Sequence, residues 1–352
     1  MAQPKGFTIF ARAWTASPPR NTYLHSIPSM PRSEDEESIA SWSGSDGTHT
    51  PSSLSSSTTT VSVTSAPLTD MATIKPAPRG KIDFSVLEHV FAKETATETP
   101  SSSPLWYILA TALLLAFHKE KLIGKLWTYL SQREVRAHDA ETGHLLATAR
   151  RIREACLKAS TLVGFPRAIN ALLVLQQAIK TTHPALSSIL EADASLRAAG
   201  GDPANPEAKA ARGMRLFQRI YAQHSPRVLA AMSACSGGDL THFAITCIYG
   251  ELLAEDAIIG DLDTGLLEFV CCLADGCAPQ AKGHFFGAVN LGAAPETLRA
   301  AVRLADHLAR QVRAERPWTG EKGEGEGECQ ELELELERDR SEWKFLDRVM
   351  VV

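Results

Sequence analysis

The chain lacks several features that would assign it to a class of protein at once. None of its seven cysteines forms a CxxC pair and no spacing matches a zinc site, so a metal centre is not predicted. The N-terminus has no continuous apolar core long enough for a secretory signal. Free thiols in a reducing compartment are therefore expected. The formal net charge of −5 gives no reason to expect a nucleic-acid partner.

Long apolar runs are also absent. The longest one, LWYILATALLLAF from Leu105 to Phe117, has thirteen residues and is followed at once by His118, Lys119 and Glu120. A helix that crosses a bilayer needs about 20 apolar residues. The run therefore predicts a buried helix of a protein core, and no membrane partner is expected.

The chain shows no convincing alternation of apolar and polar residues that would mark a β-strand. Helical periodicity starts near residue 82 and continues, with breaks at proline and glycine clusters. The fold class is therefore predicted to be all-α. The predicted helices cover about 84–94, 105–131, 139–162, 166–180, 206–223, 226–236, 240–254, 262–276, 279–291 and 295–314.

Residues 1–81 are rich in serine, threonine and proline, and they are predicted to be disordered because such segments bury too little apolar surface to offset ordering entropy. The first part of this tail carries Lys5, Arg12, Arg20 and Arg32 before any acidic residue. That pattern is typical of a mitochondrial presequence, but also of an ordinary basic tail or of a gene model extended upstream of its true start. Localisation stays open between mitochondrion and cytoplasm.

Changes in composition divide the rest of the chain. Residues 82–183 form a predicted N-terminal helical half, and the alanine-rich segment 184–205 a predicted linker. Residues 206–315 form a second helical half. The segment 316–352 is an acidic, low-complexity tail, for which solvation is predicted. Its last residues, SEWKFLDRVMVV, predict a short helix that docks back on the core.

The most informative segment begins at Cys277, shortly before a proline that suits the first turn of a helix. Gln280 and His284 follow three and seven residues later, which predicts one shared helical face. A glycine stop at Gly292 and a new start at Pro295 predict a helix, a tight turn and a second helix. A thiol at a helix N-terminus is placed where a thiolate is favoured.

The run QAKGHFFGAVNLGAAPE, residues 280–296, resembles the signature of the carboxymuconolactone decarboxylase family, which shares its fold with alkylhydroperoxidase D. Residues 212–221 (RGMRLFQRIY) are similar to the opening helix of that domain, and residues 242–250 resemble its middle. The resemblance covers about 206–312. It implies an alkylhydroperoxidase D-like helical bundle and a cofactor-free site for a small-molecule substrate between helices.

A second part of the chain resembles the same family. Residues 153–158 and 162–172, the latter ending in GFPRAINAL, are similar to the closing helix of such domains. Because this motif precedes the main one, the resemblance implies a permuted or duplicated arrangement of two joined halves, as in fungal members. It also implies a homo-oligomer, a trimer or hexamer by family analogy.

Two chemistries follow from the resemblance. In the peroxidase branch, Cys277 matches the first cysteine of a CxxCxxxH helix and His284 the histidine, while Gln280 replaces the second cysteine. A one-cysteine cycle would need an outside thiol, and Glu268 would be the upstream proton relay. In the decarboxylase branch, His284 transfers the proton, and Lys282 and Arg167 are candidates to hold substrate carboxylates. The predicted substrate-binding residues are thus Gln280, Lys282 and Arg167.

Other interpretations of these residues remain open. The two groups Cys277 and His284 lie about 10 Å apart along a helix, so a direct ion pair is not expected and a relay through Gln280, Glu268 or water would be required. Cys277 would otherwise be an inert buried thiol, His284 a satisfied core histidine and Glu268 an exposed helix residue. Tyr249 is interpreted as structural. The protein would then be a non-catalytic helical scaffold.

Overall fold

The computed structural model describes residues 82–95, 104–137, 142–199, 205–319 and 341–350. These ranges contain helices and no strand, which confirms the all-α prediction. The predictions for residues 1–81, including the presequence, and for residues 320–340 of the acidic tail lie outside the described part of the chain.

The helices are named here in chain order. The first seven are α1 Phe84–Thr95, α2 Leu105–Ala116, α3 Ile123–Ala137, α4 Thr142–Val163, α5 Phe165–Thr182, α6 Pro184–Glu191 and α7 Leu196–Ala199. The others are α8 Pro206–Tyr221, α9 Ser225–Ser236, α10 Asp239–Phe243, a π-helix Ala244–Leu253, α11 Asp261–Ala274, α12 Ala278–Asn290, α13 Pro295–Val312 and α14 Asp347–Met350. Short 3-10 turns cover Glu120–Leu122, Ala222–His224, Pro317–Thr319 and Lys344–Leu346.

Two predicted boundaries differ from the structure. The helix predicted at 105–131 divides into α2 and α3, because His118 adopts a φ of 58°, which does not continue a right-handed helix. The predicted linker 184–205 contains α6, which begins at Pro184. Proline favours the first turn of a helix, so this start was readable in the sequence.

The core is built around two helices that are buried on all sides over most of their length. Every residue of α2 is buried, and this helix packs against α4, α11 and α13. The run Leu105–Phe117 is therefore a core helix, as predicted. Within the described ranges, no helix is both long and apolar enough to cross a membrane. The other central helix, α11, is buried from Thr264 to Leu273.

The large hydrophobic cluster crosses the predicted boundary between the two halves. It takes residues from α1–α6 and from α11–α13, and it includes Trp343, Phe345, Leu346 and Val349 near the C-terminus. The Phe345 ring lies 5.2 Å from the Phe285 ring, so the terminal segment docks back on the core as predicted. A second, smaller cluster lies between α8 and the π-helix. The division into two halves at 184–205 remains a prediction.

Helix α8 and the π-helix approach each other so closely that glycine is required at the contact. A Cβ atom on Gly213 would lie 1.9 Å from the carbonyl oxygen of Ile245, and one on Gly250 would lie 2.2 Å from that of Lys209. Both obstacles are backbone atoms, which cannot move without shifting a helix. This contact places Tyr221, at the end of α8, beside Tyr249.

We expect Gly213→Ala to lower the free energy of unfolding by about 1–3 kcal/mol, because the added methyl group overpacks a backbone contact. Gly143→Ala in α4 is the matched control, since a Cβ there meets no atom within 4 Å. That change should be neutral or stabilise by up to about 1 kcal/mol. Urea unfolding of both variants measures the difference. Equal effects of the two substitutions would contradict the close crossing.

Candidate acid–base site

Glu268 of α11 and His284 of α12 are buried side by side. Their side chains are almost fully withdrawn from solvent, with 1% and 5% of each residue exposed. The Oε2 atom of Glu268 lies 3.7 Å from Nδ1 of His284. Small residues allow the surrounding helices to pack tightly, since a Cβ on Gly287 would lie 2.6 Å from Cγ2 of Ile220 in α8.

Burial sets the protonation of both groups. It raises the pKa of Glu268 to about 8, although the charge of Lys158 acts in the opposite direction, and it lowers the pKa of His284 to about 4. At neutral pH the pair is therefore a protonated carboxyl beside a neutral imidazole. Glu268 Oε2 and His284 Nδ1 have no hydrogen-bond partner among the described residues. A proton donor and a base thus lie together with unused hydrogen-bonding capacity.

Two tyrosines and a thiol complete the polar cluster. The ring of Tyr221 lies 6.1 Å from that of His284, and its hydroxyl oxygen lies 3.2 Å from that of Tyr249. Burial raises the pKa of both phenols, and the charge of Glu268 contributes in the same direction. Cys272 lies one turn after Glu268 on α11, and burial followed by the Glu268 charge raises its pKa. All these groups are uncharged at neutral pH.

A buried ammonium group holds the start of α11 in place. Lys158 Nζ of α4 donates hydrogen bonds to the carbonyl oxygens of Leu253, Glu255 and Ile259 at 2.7–3.0 Å and to Thr264 Oγ1 at 2.8 Å. Burial lowers its pKa to about 8, so it is still mostly charged at neutral pH. Lys158 therefore ties α4 to the end of the π-helix and to the helix that carries Glu268.

Two arginines donate hydrogen bonds to the C-terminal end of the π-helix. Arg197 donates to the carbonyl oxygens of Glu251 and Leu252, and it also pairs with the buried Glu154. Arg212 donates to the carbonyl oxygen of Gly250 at 2.6 Å. Cations at a helix C-terminus satisfy carbonyl groups that have no partner within the helix. The role of these cations is not visible in the sequence, because their partners are backbone atoms far away in the chain.

Cys277 does not join the buried pair. It lies at the N-terminal boundary of α12, half-buried, with Sγ 3.5 Å from the carboxylate of Asp275. Burial and then the hydrogen bond and charge of Asp275 raise the pKa of the thiol. The expectation that this helix start favours a thiolate is therefore wrong, because a nearby carboxylate opposes the charge of a thiolate.

The three predicted substrate-binding side chains, unlike Glu268 and His284, are not buried. Gln280 and Lys282 are exposed, because the buried face of α12 is formed by Ala278, Ala281, His284, Phe285, Gly287 and Ala288. Arg167 donates to the carbonyl oxygen of Val163 at 2.6 Å and so satisfies the end of α4. Gln280 lies one turn before His284 on α12 but is exposed, so Cys277, Gln280 and His284 do not share one buried environment.

The structure thus brings together two of the predicted catalytic residues, Glu268 and His284, and adds Tyr221, Tyr249 and Lys158. Among the described residues, no group of three or more histidine, cysteine, aspartate or glutamate side chains is arranged to hold a metal ion. A groove of about 470 Å³ lies elsewhere, between α13 and the C-terminal segment. Neither Glu268 nor His284 lines it.

These features define an all-α protein with a buried acid–base pair between adjacent core helices. Comparison with known proteins gives the family. The chain is 32% identical to Peroxisomal protein 2 of Schizosaccharomyces pombe over 161 residues, which are 46% of this chain and 70% of that protein. It is 30% identical to Peroxisomal protein 2 of Saccharomyces cerevisiae over 171 residues, which are 44% of this chain and 59% of that one. The chain belongs to the Peroxisomal protein 2 family.

No protein-family model matches the chain, and no solved structure matches it significantly. The names of the two relatives give a compartment and no activity. The resemblance to the carboxymuconolactone decarboxylase family remains a prediction from the motifs of the sequence.

Proposed function

We propose that this protein is a cofactor-free enzyme in which Glu268 and His284 transfer a proton on a small organic molecule. One observation carries the proposal: a carboxyl and an imidazole that are both buried lie 3.7 Å apart, and the facing atoms lack hydrogen-bond partners within the described chain. Buried polar atoms normally find partners, and each exception calls for an explanation, of which a catalytic role is one. The pKa shifts in opposite directions assign an acid and a base.

The chemistry follows from the protonation states. Neutral His284 accepts a proton from a carbon next to a carbonyl group. The electron pair of the broken C–H bond forms the C=C bond of an enolate, and the π pair of the carbonyl group moves onto its oxygen. Protonated Glu268 returns a proton to the substrate, and the imidazolium ion then restores the carboxyl proton. Such acid–base catalysis contributes about 10²–10⁴-fold. The low dielectric of the site strengthens each interaction with the developing charge.

Thiol-dependent peroxide reduction has weaker support. A peroxidatic cysteine reacts as a thiolate, whereas Asp275 and burial raise the pKa of Cys277. Gln280 stands where the second cysteine of the peroxidase motif would be. The structure offers Cys277 no hydrogen bond with His284 among the described residues, since its sulfur contacts Asp275.

Decarboxylation of a carboxylated lactone is supported only in part. The burial of His284 beside Glu268 supports a proton-transfer role, but Lys282 is exposed and Arg167 is engaged at the end of α4. The two cations proposed to hold substrate carboxylates are therefore not at the acid–base pair. The proton-transfer step is retained in the proposal and the carboxylate contacts are not.

Hydrogen–deuterium exchange into carbon acids tests the proposal without knowledge of the natural substrate. A panel of small ketones and lactones is incubated with the full chain in D₂O, and small hydroperoxides are assayed in parallel with a thiol reductant. Glu268→Gln and His284→Gln should each lower the exchange rate by about 10²-fold or more, because each removes one proton-transferring group.

Cys277→Ser is the matched control, and it should leave that exchange within about twofold. If Cys277→Ser instead abolishes hydroperoxide turnover, the thiol chemistry replaces the present proposal. If neither Glu268→Gln nor His284→Gln changes any measured rate, the scaffold interpretation holds.

The cellular compartment and the oligomeric state are part of the same proposal. The names of both relatives favour a peroxisomal location over the mitochondrial or cytoplasmic alternatives. A fluorescent fusion of the full chain should overlap a peroxisomal marker, and overlap with a mitochondrial marker would contradict this.

A homo-oligomer, a trimer or hexamer, is proposed by family analogy alone. Light scattering of the purified chain measures its mass.

A further inference from the structure

The acid–base pair is closed to solvent, and Tyr221 is the member of the cluster that reaches the surface. Glu268, His284 and Tyr249 are buried, whereas Tyr221 is only partly buried. Tyr221 ends α8, and the next residue, Ala222, has a φ of 44°, which an alanine rarely adopts. The right-handed helix ends at this point, directly after the aromatic ring that contacts His284.

The positive charges on the helices around the pair are already engaged or face solvent. Lys158 uses its three N–H groups on four acceptors. On α8, Arg212 binds the carbonyl oxygen of Gly250, and Arg219 pairs with Asp261. On α12, Lys282 is exposed. An anionic group brought next to Glu268 would thus find no available cation among the described residues of α4, α8 and α12.

The phenols offer a different kind of contact. Tyr221 and Tyr249 carry two hydroxyl protons, and the hydrogen bond between the two oxygens uses one of them. The second hydroxyl proton remains to be donated to a bound oxygen atom. Burial raises the pKa of both phenols, so both keep their protons under all physiological conditions.

We propose that the Glu268–His284 site accepts a small uncharged carbonyl compound, which enters past Tyr221 and receives a hydrogen bond from the tyrosine pair on its carbonyl oxygen. This inference rests on the proposed proton transfer and names its substrate class. A neutral carbonyl needs one or two donors, whereas an unpaired carboxylate in such surroundings loses its hydration without compensation. The same donor stabilises the negative charge that develops on oxygen when His284 removes the proton.

A matched pair of probes tests the charge preference. Cyclohexanone and 4-oxocyclohexanecarboxylate share the carbonyl group and the ring, and they differ by one carboxylate. Each is titrated into the full chain labelled with ¹³C at histidine Cε1, and the resonance of His284 is identified by its loss in His284→Gln. Cyclohexanone should shift this resonance saturably, with an affinity at least about tenfold higher than that of the carboxylate. Tyr221→Phe should weaken the binding of cyclohexanone by about threefold to tenfold.

Equal or tighter binding of the carboxylate would overturn the proposal, and so would the absence of a saturable shift with cyclohexanone. An unchanged affinity in Tyr221→Phe would remove Tyr221 from the site. These binding readouts do not depend on catalysis. They therefore separate a failure of this inference from a failure of the proposed function, which the exchange rates of Glu268→Gln and His284→Gln report.

The entrance is tested with the thiol of Cys272. This thiol is buried, and it lies close enough to Tyr221 and Glu268 to interact with them electrostatically. Uncharged iodoacetamide is added to a Cys277→Ser background, and peptide mass spectrometry follows each cysteine. Tyr221→Ala should accelerate the modification of Cys272 by at least about tenfold, because it removes the partly exposed ring at the proposed entrance. Phe165→Ala, which truncates an exposed ring on α5, is the control.

Cys156 distinguishes local opening from unfolding. This thiol is fully buried in α4, away from the tyrosine pair in sequence and on another helix. In Tyr221→Ala it should stay as protected as in the parent protein. If Tyr221→Ala accelerates the modification of Cys156 and Cys272 equally, or does not accelerate that of Cys272 at all, Tyr221 is not the entrance.

Discussion

Replacing Lys158 by methionine is expected to lower the free energy of unfolding by about 3–5 kcal/mol. The methionine side chain fills much of the same volume but donates no hydrogen bond. Three backbone carbonyls and the hydroxyl of Thr264 would each lose the partner that Lys158 provides in a buried position. A buried acceptor left without a partner costs about 1–3 kcal/mol, and part of this is recovered when water enters.

Lys125→Met is the control for this substitution. Lys125 is exposed on α3, so the same chemical change there should alter stability by no more than about 0.5 kcal/mol. Urea unfolding followed by circular dichroism measures both variants. A small effect of Lys158→Met would mean that the end of the π-helix is held by Arg197 and Arg212 without the lysine.

The same substitution tests the link between fold and site. Lys158 contacts Thr264 in the first turns of α11, one turn before Glu268. Its charge also opposes the rise in the pKa of Glu268 that burial causes. Loss of the lysine should therefore loosen the helix that positions the carboxyl and raise the pKa of Glu268 further.

Most of the helical layout could be predicted from periodicity and from helix-ending residues. The run Leu105–Phe117 has no polar face, so its burial followed from composition alone. The break at His118 was not predictable, because a positive φ at a non-glycine residue is imposed by surrounding packing. The π-helix is likewise invisible in the pattern, since a change of hydrogen-bond register leaves no mark in composition.

The candidate site was predictable in part. Glu268 and His284 each lie eight residues from Gly276, at the turn between α11 and α12. In two adjacent helices joined by a tight turn, residues equally distant from the turn lie opposite each other, so this pair could have been found by counting from the turn. The resemblance to the peroxidase branch named Glu268 and His284 as well, but it made Cys277 the reactive group, and burial together with the neighbouring carboxylate of Asp275 raises the pKa of that thiol.

The roles of Tyr221 and Lys158 could not be derived from spacing. Their partners lie on helices that are distant in the chain, and the contacts depend on the close crossing at Gly213 and Gly250. Only packing in three dimensions brings these groups to the acid–base pair.

Replacing Glu268 by glutamine is expected to remove a pH-dependent contribution of about 5 kcal/mol to the free energy of unfolding. Burial raises the pKa of Glu268 to about 8, whereas a glutamate in an unfolded chain titrates near 4.3. The folded protein therefore holds a proton that the unfolded chain has released. This contribution to stability is complete below about pH 4 and is lost as the pH rises through 8.

His284 acts in the opposite direction and limits the window in which the effect is visible. Burial lowers its pKa to about 4, so stability rises with pH between about 4 and 6.5 as the unfolded histidine loses its proton. In that interval the two slopes oppose each other. Between about pH 6.5 and 8 the contribution of Glu268 dominates, and it should lower the stability of the parent protein by about 2 kcal/mol. Lys158, with a pKa lowered to about 8, begins to act near the upper end of this window and opposes the decline, because the unfolded lysine keeps its proton to a higher pH.

Unfolding by urea at pH 5, 6.5 and 8 separates these contributions. The free energy of unfolding of Glu268→Gln should stay constant between pH 6.5 and 8, because the amide does not titrate. That of the parent protein should decline over the same range. Glu207→Gln, at an exposed position in the first turn of α8, should keep the decline of the parent protein. A parent protein without this decline would hold Glu268 as a carboxylate at neutral pH. The proton that the proposed reaction returns to the substrate would then have to come from an imidazolium ion or from Tyr221, and the assignment of Glu268 as the acid would be wrong.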